Sequence, residues 1–121
     1  MRALLCLLAL VTAAPAMAQE QALTPDEELS CALLAGFVSS QARVKDDEIG
    51  MASMMGYWLG RYEARTGRRP EEAVTPEFIA RMSATVATLA PRCEAEAKKI
   101  GARMQELGTR IRRLAPPAGG K

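Results

Sequence analysis

Few residues of this chain could carry out chemistry, and the usual catalytic residue is missing. The 121 residues include no histidine. Histidine is the commonest general base and metal ligand, and it activates serine and cysteine nucleophiles. Its absence excludes those reactions and leaves only unusual tyrosine, lysine or carboxylate chemistry. We therefore expect a protein that is not an enzyme.

The densest group of carboxylates is the run Asp46-Asp47-Glu48. Neighbouring side chains on a helix point in different directions, so these three groups do not converge on one metal ion. Acidic residues are common at helix starts, where they interact favourably with the helix dipole. The sequence also has no CxxC pair, glycine-rich phosphate loop or calcium-binding loop. We predict no metal site and no cofactor.

Residues 1–18 have the pattern of a cleaved signal peptide. Arg2 precedes an apolar run from Ala3 to Ala14, and Ala16-Met17-Ala18 fits the small-residue cleavage rule. Cleavage would leave an exported chain that begins at Gln19 and keeps no membrane anchor. We predict a periplasmic protein.

Two cysteines, Cys31 and Cys93, follow this leader. Exported proteins commonly pair such cysteines, and two free buried thiols are the alternative. A Cys31–Cys93 disulfide closes a loop of roughly 60 residues, which contributes about 4 kcal/mol of stability in the chain-entropy model. We predict this disulfide as a link between the first and the last helix.

The overall charge excludes one class of partner. Lysine and arginine total 16 against 14 aspartate and glutamate, which gives a net charge of +2. Nucleic-acid-binding proteins normally have a clear basic excess. We expect no nucleic-acid partner, and we predict one domain over residues 19–114 followed by a disordered tail at 115–121.

An uncharged stretch of twelve residues in that domain, residues 49–60, indicates the element that the other helices surround. Acidic residues precede it and arginines follow it, as the helix dipole favours, and Gly67 is a typical helix stop. The prediction is a central helix over 46–66, capped by Asp46 or Asp47 and buried nearly all round.

Two stripes of side chains follow this helix at intervals of three or four residues. One stripe is smooth, and another helix could pack closely against it. Its members are Ala52, Gly56, Gly60 and Ala64. The other stripe is bulky and forms either core or an adaptable apolar binding surface. Its members are Met51, Met55, Trp58 and Tyr62.

Other helix signals lie on either side of this central helix. Thr24-Pro25-Asp26-Glu27 is a capping box with proline in the first turn, and it starts a helix that runs to about Ala42. Thr75-Pro76-Glu77 starts a third helix, which we expect Pro91 to end. Residues 67–74 are predicted to form a loop.

The fourth predicted helix, at about 92–114, has the most regular apolar pattern. Its apolar side chains alternate at spacings of four and three residues, as along a coiled-coil seam. The seam consists of Cys93, Ala97, Ile100, Met104, Leu107, Ile111 and Leu114. It packs either on the body of its own domain or on a partner protein, and that partner could be a second copy of the chain.

Several short motifs resemble those of small exported helical proteins of Gram-negative bacteria. They are Cys31, Gly56-Tyr57-Trp58-Leu59-Gly60 and Cys93, with Tyr-x-Leu-Gly-Arg at 57–61 and Cys-x-Ala-Glu at 93–96. The pattern looks most like uncharacterised alphaproteobacterial periplasmic proteins. It is more remotely similar to HdeA-type acid-stress chaperones and to immunity proteins of secreted toxins. An HdeA-type protein would imply a dimer that opens in acid and binds unfolded clients.

These features predict an all-α, single-domain protein of four helices around a buried central helix, with one disulfide between helix 1 and helix 4. The expected function is non-enzymatic protein binding in the periplasm, with an HdeA-like stress chaperone as one form of it. Two alternatives stay open. One is an inhibitor of a single partner, like a toxin-immunity protein, and the other is a carrier of a small apolar ligand.

Overall fold

The computed structural model describes residues 21–115, and this part of the chain consists of helices and short connections. The helices are α1 (Pro25–Gln41), α2 (Lys45–Thr66), α3 (Pro70–Ala73) and α4 (Pro76–Leu114). No strand occurs among the described residues, so the predicted all-α, four-helix fold is confirmed. The predicted leader and most of the predicted tail lie outside the described residues.

α1 begins where the sequence predicted because Thr24 and Glu27 form a capping box. The Glu27 amide donates to Thr24 Oγ1 at 3.2 Å, and the Thr24 amide donates to Glu27 Oε2 at 2.8 Å. Pro25 follows in the first turn, where the helix needs no N–H donor. α1 has the most buried residues of the four helices. They are Glu28, Leu29, Ser30, Cys31, Ala32 and Ala35.

α2 folds back on α1 as an antiparallel hairpin, with residues 42–44 as the turn. Contacts between the two helices run in opposite order along the chain. Ser39 Oγ donates to the Glu48 carbonyl at 3.0 Å close to the turn, and Gly36 lies against Met55 further from it.

The prediction that α2 is buried nearly all round is wrong. Only Trp58 and Tyr62 of this helix are buried, each with 1% of its surface exposed. One face of α2 packs on the rest of the domain and the opposite face is exposed to solvent. The uncharged stretch is therefore not evidence of burial, because several of its members are glycine and alanine, which expose little apolar surface.

The sequence predicted the C-terminal end of α2 correctly but not the residue that caps its N-terminal end. The N-cap residue is Val44, which makes no side-chain cap, so neither Asp46 nor Asp47 has the predicted capping role. Gly67 ends the helix as predicted, with φ at 65° in the left-handed region. The expected loop that follows contains one helical turn, α3.

The predicted break at Pro91 is also wrong, because α4 is one continuous helix of 39 residues. Proline inside a helix removes a backbone hydrogen bond and costs about 3 kcal/mol. Contacts on both sides of Pro91 offset this cost, since Leu89 is buried and Cys93 is bonded to Cys31. At 1.5 Å per residue, α4 is about 58 Å long.

The Cys31–Cys93 disulfide is present and joins α1 to α4, with the two Cα atoms 5.5 Å apart. It lies in the larger of two core clusters, where Trp58 packs with Leu89 and Ile100. The smaller cluster consists of Leu29, Tyr62 and Phe78. None of the helices described here has an apolar stretch long enough to cross a membrane.

Candidate functional site

The predicted seam of helix four divides at Ile100 into a packed half and an exposed half. Cys93 is held by the disulfide and Ile100 is only 5% exposed, so the first half packs on the body of the domain. The second half is exposed by 57–75%. Its apolar side chains are Met104, Leu107, Ile111 and Leu114. We call residues 101–114 the arm.

Positive charge is concentrated on the arm. It has four arginines and a single acid, Glu106. Residues 21–100, by contrast, have 10 basic and 12 acidic side chains. The arm is therefore a basic amphipathic helix, a type that binds anionic surfaces or the grooves of partner proteins. The four arginines are Arg103, Arg110, Arg112 and Arg113.

A groove with a volume of about 420 Å³ follows the base of the arm. Tyr57 of α2 forms one wall, and Met104 and Leu107 line the other, with Arg103 and Arg110 beside them. Apolar lining with a few charged groups at the edge is common in protein-binding grooves. The arm thus presents both a ridge of apolar side chains and a concave surface next to it.

The smooth stripe of α2 is exposed, and the prediction that it mediates close helix packing within the chain is wrong. A Cβ atom added at Gly56 or Gly60 would meet no atom within 4 Å. The close contact is on α1, where a Cβ at Gly36 would lie 2.8 Å from Met55 Sδ. The bulky side chains of α2 face α1, which turns the small ones outward. The exposed stripe residues are Ala52, Gly56, Gly60 and Ala64.

The bulky stripe of α2 is mainly core. Trp58 and Tyr62 are buried in the larger and the smaller cluster, and Met55 is half-buried against Gly36. Met51 and Trp58 also line an apolar pocket of about 370 Å³ beside the disulfide. Two of the four predicted surface residues therefore reach a pocket in which a small apolar molecule could bind.

Glu28 is a buried carboxylate that the sequence analysis missed. Its side chain is fully buried, and its Oε1 atom accepts a hydrogen bond from Arg65 Nη1 at 2.7 Å and forms a salt bridge with Arg61 Nη2 at 2.7 Å. Arg65 also donates to the Leu23 carbonyl at 2.9 Å. A signal was present: Glu28 is one helical turn before the buried Ala32, and the two arginines are four residues apart on α2.

A second carboxylate joins α1 to α4. Glu27 accepts hydrogen bonds from Arg92, one of them from Nη2 at 3.2 Å. Burial raises the pKa of Glu27, but the hydrogen bonds from Arg92 and Thr24 outweigh it and hold that pKa below its ordinary value of 4.5. The contact between the two helices is therefore an ion pair that acid weakens.

No family model, no curated protein and no solved structure matches this chain. The similarity of its motifs to those of exported helical proteins stays a prediction.

The described residues offer no assembled set of metal ligands. In residues 21–115, no three cysteine, aspartate or glutamate side chains meet in a way that could hold an ion. Asp46, Asp47 and Glu48 are all exposed at the start of α2. Three other features of residues 21–115 could bind a partner or a ligand: the arm, its groove and the apolar pocket beside the disulfide.

Proposed function

We propose that this chain is a non-enzymatic, exported protein-binding protein and that its binding surface is the arm. The observation that carries the proposal is the row of four apolar side chains that are 57–75% exposed on the arm. Burying such a face gains about 25 cal/mol for each Å² removed from water. A partner protein would supply that burial, because none of the described helices covers the row.

The charge of the arm favours partners with acidic groups next to apolar ones. Arg103 and Arg110 beside the row would pair with carboxylates, while the apolar row would enter a groove or hold an exposed apolar segment. Unfolded proteins offer such segments in many sequences. We therefore favour a chaperone that binds unfolded clients, and an inhibitor of one folded partner is the alternative within the same class.

The test is binding of an unfolded client to the purified, oxidised chain. α-Lactalbumin, held unfolded by reduction of its disulfides and alkylation of the resulting thiols and then fluorescently labelled, serves as the client, and fluorescence anisotropy gives the dissociation constant. Leu107→Ser combined with Ile111→Ser should weaken binding at least about tenfold, because two apolar anchors are lost. Circular dichroism verifies that the variant is folded.

A matched control comes from the opposite face of the arm. Ala102→Ser with Gln105→Ser also introduces two serines into exposed positions of the same helix, and it should leave client binding unchanged. Equal affinity of both double variants and the wild type would contradict the proposal. If the chain does not bind this client but binds one folded protein tightly through the arm, the result would favour an inhibitor of a single partner over a chaperone.

The apolar pocket beside the disulfide supports a second candidate function, a carrier of a small apolar ligand. Its volume of about 370 Å³ lies within the range of small-molecule sites. Trp58, the sole tryptophan, lines it and would report binding of lauric acid by a change in fluorescence. Ala97→Leu should fill the pocket and abolish that change, whereas Ala95→Leu, which is outside the pocket lining, should not.

A further inference from the structure

A second group of exposed apolar side chains lies at the turn between α1 and α2. Phe37, Val38, Val44 and Ile49 are 49–66% exposed. All four lie within two helical turns of residues 42–44, so they share one end of the hairpin. We call this end, residues 37–51, the tip.

The tip has a groove with an acidic edge. The groove has a volume of about 370 Å³, and apolar side chains of both helices, among them Val38, line it. Its charged lining residues are Asp46 and Asp47. The two basic residues of the tip, Arg43 and Lys45, are exposed but are not among the lining residues. The tip groove therefore combines apolar surface with negative charge.

The arm and the tip are complementary in shape and charge. The arm is a ridge of four apolar side chains spaced as in a helix that docks into a groove, and Arg103 and Arg110 lie beside it. The tip is a groove edged with carboxylates. Pairing two arms would bring together eight arginines and two glutamates, and pairing two tips would bring together six acidic and four basic side chains. Repulsion between like charges disfavours the pairing of two arms strongly and the pairing of two tips more weakly.

We propose that the arm of one copy docks into the tip groove of a second copy, so that two copies exchange arms in a two-fold dimer. This proposal rests on the proposed function, because it names a partner for the same arm. Opposite charges at each contact favour the exchange. A closed two-fold arrangement also covers both arms and both tips, whereas an open chain of copies would leave one of each exposed.

Sedimentation velocity of the purified, oxidised chain tests the proposal. The wild type should be a dimer. Reversing the charge of the arm with Arg103→Glu and Arg110→Glu should raise the dissociation constant at least about 100-fold. Reversing the charge of the tip with Asp46→Lys and Asp47→Lys should do the same. Circular dichroism and thermal melting establish that both variants are folded.

An equimolar mixture of the two charge-reversed variants gives the sharpest result. In a mixed dimer the basic arm of one variant meets the acidic tip of the other, and the acidic arm meets the basic tip. Both contacts are again attractive, so mixing should restore the dimer that neither variant forms alone. Arg68→Glu with Arg69→Glu, two exposed arginines outside arm and tip, is the control and should stay dimeric.

Three outcomes would overturn the proposal: a monomeric wild type at the highest concentration, a dimer unaffected by tip reversal, or a mixture that stays monomeric. Species larger than a dimer would overturn the closed two-fold form. A wild-type monomer that still binds alkylated α-lactalbumin through the arm would leave the proposed function standing. If the dimer behaves as expected in all of these experiments but Leu107→Ser with Ile111→Ser leaves client binding unchanged, only the proposed function is overturned.

Discussion

Single side chains determine how α1 and α2 fit together. Glu28 is fully buried and has two arginine partners from α2, while Gly36 leaves room for the Met55 side chain. The Glu28 ion pairs and the Gly36–Met55 contact both lie at the interface between α1 and α2. A buried carboxylate is costly without a partner, so the arginines contribute to stability mainly by preventing that cost.

The double substitution Arg61→Ala and Arg65→Ala should lower the free energy of unfolding by about 3–5 kcal/mol, because Glu28 would stay buried without a charged partner. Urea denaturation followed by circular dichroism measures the change. Adding Glu28→Leu to the double variant should recover part of the loss, since no buried charge remains. A triple variant no more stable than the double one would contradict this account.

The glycines of α2 and α1 should respond to substitution in opposite ways. Gly56→Ala and Gly60→Ala should each stabilise the protein by about 1 kcal/mol, because both sites are helical and uncrowded. Gly36→Leu should destabilise it by about 1–3 kcal/mol, because the added atoms overlap Met55. Thermal melting measures the stability of the three variants. A Gly36→Leu protein more stable than the wild type would contradict the expected overlap with Met55.

At the scale of elements, α4 is held to the hairpin by a small number of strong contacts. The disulfide joins it to α1, the Arg92–Glu27 ion pair lies one turn away, and Phe78 and Ile100 pack into the two core clusters. These contacts hold α4 against the hairpin on both sides of Pro91, so the helix stays continuous there. The arm begins after the last of these contacts, at Ile100.

Pro91→Ala should stabilise the protein by about 1–3 kcal/mol, because alanine restores the backbone hydrogen bond that proline lacks. The residue is exposed, so no packing is lost. The midpoint of urea denaturation is the readout. A destabilised variant would mean that the proline ring makes a contact on which α4 depends.

The α1–α4 contact should weaken in acid. The pKa of Glu27 is lowered in the folded protein, so its contribution to stability is present above the ordinary value of 4.5 and is lost as the pH falls through the lowered pKa. The pKa values of the exposed Glu77 and Glu94 are lowered as well. Unfolding free energies measured between pH 7 and pH 3 should therefore decline below about pH 4.5.

Glu27→Gln isolates the part of this decline that belongs to the ion pair. The variant should be less stable than the wild type at pH 7, and the difference should shrink as the pH falls toward 3. A constant difference across that range would show that the carboxylate charge of Glu27 does not contribute.

At the scale of the whole molecule, residues 21–115 form a disulfide-linked helical body with two exposed apolar ends, the arm and the tip. A small domain usually keeps most of its large apolar side chains away from water. The exposed residues are confined to these two ends for the most part, and their neighbouring charges are opposite. This distribution is the basis for both proposals about protein binding.

The chain purified after export should begin at Gln19 and lose its first 18 residues. Intact mass spectrometry checks the cleavage site, and it also reports the disulfide, because the oxidised chain is about two daltons lighter than the reduced one. A chain recovered with its full N-terminus would contradict the predicted signal peptide. Reduction should destabilise the protein by about 4 kcal/mol, as expected for the loop between Cys31 and Cys93.

The sequence by itself determined the helical content, the ends of α1, the end of α2 at Gly67, the start of α4 and the disulfide pairing. These features depend on local chemistry: capping side chains, glycine at a helix end, and a single pair of cysteines in the predicted mature chain. Each can be read from a few adjacent residues or from a count.

Only the tertiary structure decided which faces are buried. Local pattern could not distinguish the smooth stripe of α2 from a packing face, or tell that Pro91 would remain inside a helix. Burial depends on which elements meet, and α1 covers one side of α2. The disulfide and the buried Leu89 hold α4 against the domain on both sides of Pro91. Beyond Ile100, α4 extends past the helices that it packs on. The apolar seam is regular along its whole length in the sequence, and its division into core and exposed arm follows from that geometry.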